Sequence, residues 1–250
     1  MTAVADLTTL SGRCLRLSQR NVEALVTALA LPIMLMLMFV YLFGGAIRSG
    51  GPYVDYVVPG VLLVCAGFGA GTTAVSVSSD LRNGIVDRFR SMDVRGEALV
   101  TGHVVASVLR NLVSSVLVVG VAVAIGFRSS ASVTAWSAAL GIFVLFVLAL
   151  SWVCAALGMV AGSPEAASGL TFAISFLPYP SSAFVPIHTM PSWLQGFARH
   201  QPVTCVVEAL RGLLTGGPVA SAATQAVLWS VGIAGVAVVL SGVLFRRRTA

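Results

Sequence analysis

The chain holds three histidines, four cysteines and nine carboxylates, the side chains that most often carry chemistry. Their spacing argues against catalysis. A hydrolase working inside a membrane needs a nucleophile and a base at matched depth. His103 falls near one end of an apolar run, His188 and His200 lie in a more polar stretch, no G-x-S-x-G occurs, and no apolar run holds paired acids. Cys14, Cys65, Cys154 and Cys205 are far apart and read as small buried hydrophobes, with neither metal spacing nor a disulfide framework. All 15 cations are arginines. Without a lysine there is no GxxxxGK[ST] phosphate-binding loop, so any nucleotide hydrolysis must belong to another chain.

His103 and Arg110, seven residues apart on one helical face, are the groups a proton relay would use. No central Asp or Glu accompanies them in an apolar run. Arg110 therefore reads as a long side chain reaching headgroups or a neighbouring carboxylate.

The remaining charge is unevenly spread. Hydrophobic residues make up 57% of the chain and charged ones 10%, yet eight of the 24 charged side chains fall between Asp80 and Glu97. A mean hydropathy of +0.96 is far above that of soluble domains and requires lipid as the solvent. Six windows are long and apolar enough, or nearly so, to cross a membrane: 22–43, 56–78, 101–125, 136–161, 167–187 and 222–245. The first carries no small-residue cleavage motif and reads as a retained span rather than a signal peptide. Pro32 and Pro59 are expected kinks.

Arginine placement sets the orientation. Arg13, Arg16, Arg20, Arg82, Arg88, Arg90, Arg95, Arg246, Arg247 and Arg248 fall on one side of a six-span chain, and Arg48, Arg128, Arg199 and Arg211 on the other. Ten against four puts both termini and the charged loop in the cytoplasm. The excess of arginine is thus a topology signal and no mark of nucleic-acid binding.

Two segments are expected to lie along the membrane. Within the cytoplasmic segment 1–21, Leu7, Leu10, Cys14 and Leu17 share a helical stripe apart from Arg13, Arg16 and Arg20, the pattern of an interfacial amphipathic helix. It suits either a seat for a cytoplasmic partner or an anchor on anionic lipid. In the external or re-entrant segment 188–218, Trp193, Leu194 and Phe197 recur at helical spacing and Val203–Leu214 reads as a second short helix. There Glu208 and Arg211, three apart, are expected to form a structural ion pair.

In the cytoplasmic loop 79–100, Leu81, Ile85, Phe89 and Met92 form a narrow apolar stripe, with Asn83, Asp87, Arg90 and Asp93 on other faces. Asp80 stands where an N-cap acceptor is wanted. An apolar stripe ringed by both signs of charge suits a protein–protein contact. The alternative is a stripe on the bilayer with solvated charges.

"YVDYVVPGVLLVCAGFGAGTTAVSVSSDLRNGIVDRFRSM" and "SSAFVPIHTMPSWLQGFARHQPVTCVVEALRGLL" resemble the ABC-2 permease family, most closely the daunorubicin-resistance-type membrane subunits of actinobacterial exporters. The motifs are D-Y-x-x-P-G before span two, D-R-F-R in the loop and Q-P-x-T-x-x-x-E-A-L-R before span six. The resemblance implies an all-α membrane protein with six transmembrane helices of the ABC-2 (type V exporter) fold, forming a single domain over 1–250. It implies that the charged loop is a coupling helix docking on a separate ATPase subunit through Arg82, Asp87, Arg88, Phe89 and Arg90. Asp93 stands where the family commonly has proline, which alters how that helix ends. ATP and Mg2+ would sit on the partner and no cofactor on this chain, which would pair with a second permease copy or a sister chain in a bacterial plasma membrane. The substrate route would run between protomers along spans two and five, past Phe68, Phe172, Phe176 and Tyr179. Aromatics beside a proline cluster suit an apolar or planar substrate, or else a lipid-facing belt. Drug, lipid and polysaccharide exporters share this architecture, and a self-contained secondary transporter using His103 and Arg110 is the rival from another class.

Overall fold

A computed structural model of the chain describes Gly12, Cys14 and residues 22–47, 50–84 and 96–249. These residues are helical or irregular, with no strand among them. The helices are α1 (Val22–Met38, continued by a π-helical turn Phe39–Phe43), α2 (Tyr53–Arg82), α3 (Gly96–Ala124) and α4 (Val133–Val160). They are followed by α5 (Pro164–Ser175), α6 (Ser192–His200), α7 (Pro202–Thr215) and α8 (Ala220–Thr249). Among the described residues, α2, α3, α4 and α8 are long and apolar enough to cross a membrane.

α2 is the centre of the bundle and packs against α1, α3, α4, α5 and α7. In its most apolar stretch 78% of residues are buried, against 17% in α8, which lies at the periphery and presents Val231, Val236 and Val239 outward. Apolar packing against lipid tails gives helices no reason to associate, so close backbone approach and polar contacts must hold them. Small residues on α2 permit that approach. A Cβ on Gly60 would fall 2.6 Å from the Ala183 Cβ, one on Gly67 would come within 3.3 Å of the Ser175 Cα, and one on Gly71 within 3.3 Å of the Thr171 hydroxyl. On α4, a Cβ on Gly158 would sit 2.4 Å from the Ala74 carbonyl of α2.

The fifth apolar window is not one helix. α5 starts cleanly, with the Ser163 hydroxyl accepting from the Ala166 N–H and Pro164 in the first turn. It stops at Ser175, and residues 176–184 run as turns. Pro178 and Pro180 lack the N–H groups a continuing helix needs and push the residues before them out of the helical region. Twelve residues span about 18 Å, short of a bilayer core of about 30 Å.

The beginning of the charged loop also departs from expectation. Asp80 and Leu81 belong to the last turn of α2, which ends at Arg82 with Gly84 at φ +66° just beyond. Asp80 is therefore no N-cap of a loop helix, and Leu81 packs on the Val77, Leu99, Val100 and Phe245 cluster instead of starting a loop stripe. Ile85, Asp87, Arg88, Phe89, Arg90 and Met92, and the entry stripe apart from Cys14, lie outside the described residues.

Gly60→Ala and Gly158→Ala are expected to cost about 1–3 kcal/mol each by overpacking. Gly120→Ala, with nothing within 4 Å of its added Cβ, should be neutral. Thermal unfolding of the purified protein in mild detergent checks this; equal midpoints for all three would show that the close contacts do not constrain the bundle.

Candidate functional site: a polar knot, an aromatic row and a buried Asp–His pair

The two motif regions singled out in the sequence meet in space, on either side of the irregular segment after α5. From the first, Tyr53 donates its hydroxyl to the Phe184 carbonyl at 2.8 Å and Tyr56 to the Ser182 carbonyl at 2.9 Å. Asp55, in the first turn of α2, accepts from the Arg128 N–H at 3.1 Å. From the second, Gln201 donates to the Pro180 carbonyl, and Thr204 closes onto Ala198 at 2.6 Å.

Arg211 joins both regions. Its Nε donates to the Tyr56 carbonyl at 3.1 Å, its Nη2 to the Ser182 carbonyl at 2.6 Å, and its Cζ sits 3.6 Å from the centre of the Tyr56 ring. A guanidinium is planar and offers several donors, so it can stack and bridge two carbonyls at once. The expected surface pair with Glu208 is therefore corrected: Arg211 turns inward, while Glu208 is exposed and acts on it through space. Carbonyls 29 and 155 residues away in sequence displaced the local partner.

Phe172, Phe176 and Tyr179 do come together. Phe172 and Phe176 lie with ring centroids 4.7 Å apart, Phe176 and Tyr179 at 5.0 Å. The row continues through Phe184 at 5.3 Å to Phe39 of the π-helical turn at 4.5 Å and on to Phe43 at 5.4 Å. Phe172 and Phe176 are exposed at one end of it and Phe184 is buried within it. Phe68 is half-buried against the main core, and no ring contact joins it to the row among the described residues.

The end of α2 away from this knot carries a second polar group. Asp80 Oδ2 lies 2.9 Å from His103 Nε2, and both side chains are buried. Cys14 of the entry segment lies against His103. Two turns along α3, Arg110 donates to the Gly69 carbonyl at 2.9 Å and to the Thr73 hydroxyl at 3.3 Å. Its reach is thus into α2 and not to headgroups. Ser151 of α4 donates to Ser107 at 2.9 Å. The acid that a relay through His103 lacked in sequence is Asp80, hidden there by its place beside the charged loop. The signal that could have revealed it is its register with Val77 and Ser76 on a helix continuing past the apolar run.

Of the loop residues expected to meet a partner, Arg82 is described: it is exposed at the end of α2, in the field of Glu165 at the start of α5. No group of three or more metal-ligating side chains occurs among the described residues.

Comparison with known proteins places these features in a family. The ABC-2 type transporter family model matches residues 5–215. The daunorubicin resistance ABC transporter permease protein DrrB1 of Streptomyces coeruleorubidus is 30% identical over 234 residues, covering 93% of this chain and 80% of that protein. The "probable doxorubicin resistance ABC transporter permease protein DrrC" of Mycobacterium tuberculosis is 24% identical over 248 residues, covering 98% of this chain and 89% of that protein.

Arg211→Lys, which keeps the charge but cannot stack and bridge both carbonyls, is expected to lose roughly 2–3 kcal/mol of stability. Glu208→Gln should cost under about 0.5 kcal/mol. Unfolding in mixed detergent micelles measures both, and equal losses would return Arg211 to a local pair with Glu208.

Proposed function

This chain belongs to the ABC-2 type transporter family, and we propose that it is the membrane-spanning subunit of an exporter that moves hydrophobic or amphiphilic compounds outward. The work is done by ATP hydrolysed, with Mg2+, on a separate nucleotide-binding subunit. One observation carries the reading: the chain matches a family of ABC permeases over most of its length, yet with no lysine it has no phosphate-binding loop of its own.

In this reading the chain crosses the bacterial plasma membrane six times. α1 with its π-helical turn makes the first crossing, α5 with the irregular segment the fifth, and both termini are cytoplasmic. A broken fifth crossing suits transport, because irregular backbone inside a membrane is tolerated where protein satisfies it or where it lines a cavity. Two copies, or this chain and a sister permease, enclose the route between them. The row Phe172, Phe176 and Tyr179 offers ring faces to a planar amphiphile, which fits the compounds in the relatives' names. The loop 83–95, with Asp87, Arg88, Phe89 and Arg90, docks on the ATPase and passes its closure to α2 and α3.

A second reading, a self-contained secondary transporter, draws on the Asp80–His103 pair, since a buried acid beside a histidine can hold a proton. Purification of the tagged chain from its native host in mild detergent separates the two. The exporter reading expects an ATPase subunit to copurify with the wild type and to be lost from Arg88→Glu/Arg90→Glu. A chain that purifies without any ATPase in several detergents overturns it in favour of the secondary transporter.

A further inference from the structure

The helices on either side of the charged loop are joined at its base. α2 ends at Arg82 and α3 begins at Gly96. Asp80 lies two residues before that end and His103 seven residues after that beginning, in contact at 2.9 Å. Apolar side chains, among them Val77, Leu99, Val100 and Phe245, enclose the pair's surroundings. The cavity left beside His103 is about 10 Å³, room for no more than one water. In so dry a place, losing one member of the pair leaves the other buried without its partner.

Further ties follow along the same face. Arg110 donates to Gly69 and Thr73 of α2, and Asn111 lies so close that a Cβ on Gly69 would come 2.1 Å from its Oδ1. The opposite face of α2 is different. Toward α5 it offers Gly67 and Gly71, where an added Cβ would come 3.3 Å from Ser175 and Thr171; among the described residues the side chains of these two helices exchange no hydrogen bond, and the opposite charges of Arg82 and Glu165 face each other at their exposed ends. Polar ties resist sliding, because each must be broken before the helices part. Contacts between small side chains hold by proximity and contain no hydrogen bond that must break first.

We propose that the Asp80–His103 pair makes α2 and α3 one rigid body, which carries displacement of the loop 83–95 into the membrane, and that the glycine face against α5 is where this body moves. Asp80 and His103 are positioning residues: they act through the helices they join, not on the transported compound. The inference rests on the exporter reading and adds to it which helices move together and where the slip occurs.

The test uses the chain with its ATPase partner in liposomes, with daunorubicin as the transported probe. Asp80→Asn and His103→Gln are expected to keep the ATPase bound and hydrolysing while export per ATP falls roughly ten-fold. The exchanged variant Asp80→His/His103→Asp should recover most of that loss. Spin labels at Asn83 and Ala98 should keep one separation between nucleotide-free and ATP-bound states, while labels at Asn83 and Ser168 change theirs. The proposal is overturned if both single variants export at the wild-type ratio, if the exchange rescues nothing, or if the Asn83–Ala98 separation shifts as much as the Asn83–Ser168 one. Absence of any ATP-driven export by the wild type would instead remove the exporter reading itself, and the proposal with it.

Discussion

The structure depends on how closely other segments approach α2. In lipid, burying a leucine against another helix gains little over leaving it in acyl chains, so contact distance and polar pairing decide which helices touch. Gly60, Gly67 and Gly71 lie along one side of α2: a Cβ on Gly60 would clash with Ala183, and one on Gly67 or Gly71 would press on Ser175 or Thr171. On another side Gly69 admits Asn111, and Ala74 meets Gly158 of α4. Most other placements follow: α3 and α4 through their polar and glycine contacts, α5 through its small-residue side, and the irregular segment through what α2 offers at its N-terminal end.

That segment would be untenable in a membrane without help, since unsatisfied backbone groups in hydrocarbon are costly. Three of its carbonyls are bound by side chains that come from elsewhere: Tyr53 for Phe184, Tyr56 and Arg211 for Ser182, Gln201 for Pro180. The D-Y-x-x-P-G and Q-P-x-T-x-x-x-E-A-L-R motifs acquire a physical meaning from this. They are two halves of one clamp on the irregular segment, which explains why a half-buried arginine stands on a short helix beside two tyrosines. The aromatic row runs directly from that clamp to the exposed faces of Phe172 and Phe176. A ligand stacking at the exposed end would therefore press on the segment that the clamp holds.

What could be read from the sequence was set by short-range pattern. Long apolar runs foretold α2, α3, α4 and α8 because length and hydropathy are properties of each segment alone. Trp193, Leu194 and Phe197 foretold α6. The failures share a cause. Glu208 was the obvious neighbour for Arg211 at three residues' distance, but chain folding supplied two carbonyls and a ring face with better geometry. Asp80 resembled an N-cap because a polar run follows it. It is in fact helical, and its partner His103 lies 23 residues on. The end of the fifth helix at Ser175 was foreshadowed by Pro178 and Pro180, although a purely apolar count passes over them.

The central claim is that this chain forms an outward route whose energy comes from ATP on another subunit. Uptake of daunorubicin into inside-out vesicles, with the chain and its ATPase partner present together or singly, tests it most directly. The account predicts uptake that requires both subunits and hydrolysable ATP and persists when the proton gradient is collapsed. Uptake by this chain alone, without ATP and driven by an imposed proton gradient, would contradict it.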